Sequence, residues 1–152
     1  MPLNDFAKQI IERFPLGYVA TVTEDGMPSL SPKGTFFVLD DETIAFGEIR
    51  SPGTLKNLQK LPQTEVNFID PFKRKAIRIA GPVRMVERGN EEFSGLIGRW
   101  HDVWGDLANR VNTLVIIKAD RVKPVSTPPY DDGATEEEMI ATYKAKYAEI
   151  YP

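Results

Sequence analysis

The spacing of apolar residues changes repeatedly along this chain, and each change marks a predicted element. Residues 4 to 14 carry Phe6, Ile10, Ile11 and Phe14 on one side, the pattern of a short amphipathic helix that Pro15 ends. GYVATVT (17–23) reads as a strand, and Glu24-Asp25-Gly26 as a tight turn with Gly at the left-handed position. A second strand runs from about Ser29 to Leu39, interrupted near Pro32 and Gly34. A proline and a glycine in one strand indicate an edge, a bulge, or a place where something approaches the backbone closely. Asp40-Asp41-Glu42 turns the chain and TIAFG (43–47) returns, so the first third is an antiparallel meander.

A short helix near 54 to 60 follows, then TEVNFID (64–70), a Pro-Phe-Lys-Arg turn and a long strand from Lys75 to Glu87. Gly81-Pro82 inside that strand predicts a bend, as at a barrel corner. Residues 91 to 108 predict one helix with Phe93, Leu96, Ile97, Trp100, Trp104 and Leu107 on a single face. TLVIIKADRVKPV (113–125) is the last strand. After the loop STPPYDDG, Thr135 and Glu138 form a capping box, and Met139, Tyr143, Tyr147 and Ile150 stripe the final helix. Six strands in mostly antiparallel order, with helices at the ends and in crossovers, predict a mainly β fold: a small barrel with flanking helices. An OB-type barrel fits the same strand count. The division expected is a barrel domain over 1–125 and a loop and helix over 126–152.

Composition narrows the chemistry. Net charge is −3 over 152 residues, which argues against the strong positive field that non-specific nucleic-acid binding needs. There is no cysteine, so disulfides, thiol catalysis and thiolate metal sites are excluded. One histidine, His101, rules out an all-histidine metal site within the chain, and no nucleophile-elbow sequence is present. No apolar run approaches membrane-spanning length, and MPLNDFAKQ lacks a signal-peptide core, so a cytoplasmic protein without membrane contact is expected.

Two stretches carry candidate chemistry. RSPGTLKNL (50–58) reads as a helix start that Ser51 or Thr54 can cap, with Pro52 in its first turn. Other helix starts in the chain carry acids: Asp5, Glu91 and Glu92, Glu136 to Glu138. From Arg50 to Leu61 there is none, while Arg50, Lys56 and Lys60 are present. Free N–H groups at a helix start, hydroxyls from Ser51 and Thr54, and room at Gly53 suit a phosphate; a plain surface helix with solvated lysines is the alternative. The second stretch is SPKGT (31–35), where Lys33 faces a ligand or, on the plainer reading, is a surface lysine on an edge strand.

The order LSPKGTFFVLDDETIAF, RSPGTLKNLQKLP, TEVNFIDPFKRKAIRIAGPVRMV resembles the pyridoxamine 5′-phosphate oxidase-like, FMN-binding split-barrel family over roughly residues 5 to 125. The resemblance implies a six-stranded antiparallel split β-barrel that forms a homodimer, with FMN in clefts at the dimer interface. It implies flavin contacts from Ser31, Lys33, Gly34 and Thr35, and from the neighbouring strand end at Phe46 and Gly47. Its phosphate-binding turn falls on Arg50, Ser51, Gly53 and Thr54, with Lys56 and Asn57 just inside the helix. Lys33 near the flavin ring would then stabilise the reduced cofactor. Pro52 and Gly53 stand where true pyridoxamine phosphate oxidases have Arg-Lys, and the tail lacks their Arg and Trp. The expected function is therefore an FMN-dependent oxidoreductase on a different small molecule. The alternative is a non-catalytic carrier of flavin, haem or a deazaflavin. An OB-like barrel binding single-stranded nucleic acid fits the acidic charge poorly. No catalytic residue and no metal ligand is assigned.

Overall fold

A computed structural model describes residues 2–152. Eight strands and their helices follow in the order α1 (Asp5–Arg13), β1 (Gly17–Val22), β2 (Pro28–Lys33), β3 (Phe36–Val38), β4 (Thr43–Glu48), α2 (Pro52–Lys60), β5 (Gln63–Asp70) and β6 (Lys75–Glu87). Next come α3 (Glu91–Leu96), α4 (Gly98–Trp104), a 3₁₀ turn (Gly105–Arg110), β7 (Thr113–Lys118), β8 (Arg121–Val125), α5 (Pro128–Asp131) and α6 (Glu136–Ile150). All pairings are antiparallel, in the path β2-β1-β5-β6-β7-β4-β3, with β8 on β6. The path starts with β2 and ends with β3, which are successive in the chain. The sheet thus curls until its two ends meet at Gly34-Thr35, as a half-barrel.

The expected six strands are eight because two of them switch partners midway. Ser29–Leu39 divides at Gly34-Thr35: β2 pairs with β1, β3 with β4. Residues 113–125 divide after Lys118: β7 pairs with the second half of β6, β8 with the first. The crossover lies over Gly81, where an added Cβ would stand 1.8 Å from the Lys118 carbonyl oxygen. The bend read from Gly81-Pro82 is therefore a contact with the chain crossing above it.

The helix expected over 91–108 is also divided. Ile97 ends α3 and starts α4, between glycines at 95 and 98 that weaken helix continuity. Gly105, at φ 58°, closes α4 in the left-handed region. Leu107 falls beyond it and is exposed, while Phe93 and Trp100 keep the buried face. The caps at Asn4 and Asn90 and the Thr135–Glu138 capping box all form.

Inside the curl, Phe36 packs against Phe46 at 5.1 Å and edge-on to Phe68 at 4.7 Å, with Ile10 and Ile11 of α1 joining the same core. A second cluster beneath α3 and α4 centres on Trp100. Gly81→Ala is expected to lower stability by about 3 kcal/mol, because backbone must move to admit the methyl. Chemical denaturation checks this; a loss below about 0.5 kcal/mol contradicts the close-approach account.

Candidate functional site

β2 and α2 meet end to end. Lys33, the last residue of β2, is 7% exposed. Its Nζ donates to Ser31 Oγ at 3.0 Å and to Ser51 Oγ, the hydroxyl of the residue capping α2. Among the described residues, no carboxylate lies within ion-pair distance of Lys33. Burial holds its pKa below the ordinary lysine value, and the Glu48 charge opposes that shift only in part. The buried ammonium is held by two neutral hydroxyls, with the Glu48 charge as a partial offset.

The helix start supplies the rest. Ser51 does not cap α2 through its side chain, and the first turn holds no acid. Pro52 has no N–H to give, and Leu55 N is bonded to Ser51 O at 3.2 Å. Gly53 and Thr54 therefore carry the N–H groups without intrahelical partners. Nothing lies within 4 Å of a Cβ built on Gly53, so the approach is open.

Glu48 was not anticipated. It ends β4, is buried, and accepts the Ser51 N–H. An acid thus stands beside a helix start that looks acid-free in sequence, delivered from the preceding strand. The only sequence signal is its position two residues before Arg50.

The remaining candidates sort by what they touch. Thr35 is a clasp: its Oγ1 donates to Gly47 O at 2.9 Å and accepts from Gly47 N at 3.0 Å, while its carbonyl accepts from Trp100 Nε1 at 2.9 Å. An added Cβ on Gly47 would meet Val111 at 2.9 Å and Trp100 at 3.2 Å, so packing explains this glycine. Phe46 is fully buried in the core. Asn57 Nδ2 donates to Thr21 Oγ1 at 3.0 Å and ties α2 to β1. Thr54 is buried at the helix start, Gly34 is exposed at the end of β2, and Arg50 and Lys56 are exposed. The cation that bonds Ser51 is Lys33. Lys33 therefore serves the helix start, because its chain length just reaches Ser51.

The outer face of β2, β1, β5 and β6 exposes Tyr18 and Leu30, and a shallow cleft of about 440 Å³ there is lined also by Asn67, Ile69 and Arg78. Asn67 Oδ1 is buried without a hydrogen-bond partner. His101 is exposed on α4 and lines neither this cleft nor the helix start. Among the described residues no cluster of acids or histidine forms a metal site, and no helix is long and apolar enough to cross a membrane.

Residues 3–126 match the family model described as pyridoxamine 5′-phosphate oxidase. The structure is similar to HupZ from Group A Streptococcus, with a TM-score of 0.71 at 22% identity over 82% of this chain and 95% of that one. It is similar to HutZ, the haem storage protein from Vibrio cholerae, with a TM-score of 0.65 at 20% identity over 83% and 95% of the two chains. It is also similar to an FMN-binding protein from Syntrophomonas wolfei, with a TM-score of 0.65 at 16% identity over 80% and 85%. At such identities the likeness shows a shared fold, the split barrel. No curated protein matches.

Unfolded Lys33 regains the ordinary lysine pKa, so the protonated side chain costs the folded state stability. Stability should rise with pH from the depressed value up to the ordinary one. Lys33→Met is expected to make the ligand-free protein more stable at neutral pH and to flatten that alkaline rise. Thermal denaturation across pH checks both; a less stable variant would show that Lys33 is satisfied as it stands.

Proposed function

Because the chain belongs to the pyridoxamine 5′-phosphate oxidase family, we propose that it binds FMN through the flavin phosphate at the start of α2. The observation that carries this reading is the buried, unpaired Lys33 against the Ser51 hydroxyl. The donor set fits a phosphate: one cation, the Ser31 and Ser51 hydroxyls, and two free N–H groups at the positive end of a helix. Glu48 accepts the Ser51 N–H and so fixes the turn.

Bound FMN supplies hydride and electron chemistry, and the protein supplies binding and electrostatics. Lys33, itself buried, would neutralise phosphate charge at the open helix start. Ser51 orients the ammonium, Glu48 orients Ser51, and the Thr35–Gly47 clasp holds the β2–β3 junction against β4. Hydride transfer requires no acid or base of the chain at the reacting atoms, and the reading is an FMN-dependent oxidoreductase with a small-molecule substrate. A carrier that binds flavin without turnover shares every one of these features. Reduction by NADH or NADPH with an added electron acceptor separates the two. A haem reading finds no histidine at this site, since the sole one lies on the exposed side of α4.

The same reading includes a homodimer, with the outer face of β2 and β1 against a second copy. Exposed Leu30 and Tyr18 and the unpartnered Asn67 Oδ1 support that placement. Leu30→Asp is expected to give a folded monomer in light scattering and to lose FMN with the interface; a variant that stays dimeric refutes the placement.

Gly53→Asp tests the phosphate site itself. Gly53 has space and an ordinary φ, and an acid there favours the helix dipole, so α2 should be as stable or more so. The added carboxylate should weaken FMN binding by about a hundredfold or more through like-charge repulsion. FMN fluorescence quenching measures it, with circular dichroism to confirm the fold. Wild-type affinity in this variant would place the phosphate elsewhere.

A further inference from the structure

The C-terminal segment holds one turn in an unusual state. The turn between β5 and β6 carries three successive cations, Lys73, Arg74 and Lys75. Glu136, at the start of α6, pairs with Lys73 at 2.8 Å and Lys75 at 3.5 Å. Asp70, the nearest acid within the turn, is buried and spends its Oδ1 on the N–H groups of Phe72 and Lys73, both at 2.9 Å. Arg74 is left without a carboxylate within ion-pair distance among the described residues. It adopts φ 55°, a left-handed conformation rare for a side chain of this size. Its guanidinium lies 3.9 Å from the centre of the Tyr143 ring on α6. Tyr130 fixes the same turn by donating its hydroxyl to Lys73 O at 2.6 Å. The tail therefore orients Arg74 without neutralising it.

Arg74 also lines a cleft of about 470 Å³, within the range of small-molecule sites. Phe14, Leu16, Tyr18 and Ile69 give it apolar walls. Arg13, at the end of α1, supplies a second cation, and no acid lines the cleft. Gly34, which follows Lys33 directly, lies at its inner margin.

We propose that this cleft is a subsite for a small aromatic or apolar monocarboxylate, its ring against Tyr18 and Leu16 and its carboxylate on Arg74 and Arg13. An anion is selected because two unpaired guanidiniums share an acid-free cleft; a flat apolar body is selected by the walls. Arg74 binds through a planar fork suited to carboxylate, with its other face covered by Tyr143. As a substrate subsite beside the cofactor the proposal rests on the FMN reading, because Gly34 links the cleft to the end of β2. It gives the C-terminal segment a role: to present one arginine.

Benzoate is the probe and benzamide its neutral counterpart, with binding measured by calorimetry on FMN-free and FMN-loaded full-length protein. Benzoate should bind both forms, and benzamide roughly tenfold or more weakly. Arg74→Gln and Arg13→Gln should each weaken benzoate roughly tenfold while leaving FMN affinity unchanged. Arg13 lies outside the tail contacts, so its variant reports even if Arg74→Gln disturbs the turn. Should FMN fail to bind while benzoate still depends on the two arginines, the flavin reading falls and the anion cleft stands. The proposal is overturned if benzoate does not bind, if benzamide binds equally, if neither arginine matters, or if benzoate and FMN compete for one place.

Discussion

The Lys33 ammonium can reach the Ser51 hydroxyl only where the last residue of β2 and the first turn of α2 lie side by side. Nothing local holds those two points together; they are eighteen residues apart in the chain. The contact places a positive charge in a buried position, with the Glu48 charge as a partial offset. Such an arrangement is costly for the isolated fold. On the proposed reading, an arriving phosphate meets a cation whose desolvation has already been met during folding.

The half-barrel makes that geometry available. Curling the sheet brings β2 and β3 together at Gly34-Thr35 although they occupy opposite ends of the strand path. Thr35 then binds both backbone groups of Gly47, and Trp100 locks the Thr35 carbonyl from the other side. Since Glu48 follows Gly47 and accepts the Ser51 N–H, the same clasp sets the angle at which α2 begins. A change at Trp100 would thus be felt at the helix start through three hydrogen-bonded links in series, Trp100–Thr35, Thr35–Gly47 and Glu48–Ser51. The tail acts on the opposite side of the sheet end, holding the β5–β6 turn by one carboxylate and three tyrosines.

Features governed by short-range rules were readable in the sequence. The bounds of β6, the turn at Gly26 and the caps at Asn4 and Thr135 all follow from residues a few positions apart. Both halves of the candidate site, Ser31–Thr35 and Arg50–Thr54, were also recognisable, but as separate pieces. Their union depends on sheet curvature, which has no local signature, and so Lys33 was expected at the flavin ring and not at the helix start. Strand number failed for the same reason: a strand that changes partners midway keeps one continuous pattern of apolar residues. Glu48 escaped notice because an acid at the end of a strand reads as solvent-facing, whereas here it is buried and serves the following helix. Phe46 lies in the core, and Gly47 packs against Val111 and Trp100.

The most direct measurement is a crystal structure of the protein with FMN bound. The flavin phosphate should lie within hydrogen-bond distance of Lys33 Nζ and of the Gly53 and Thr54 N–H groups, with Ser51 still bound to Glu48. A phosphate located elsewhere, with Lys33 resting on Ser31 and Ser51 alone, would contradict the account.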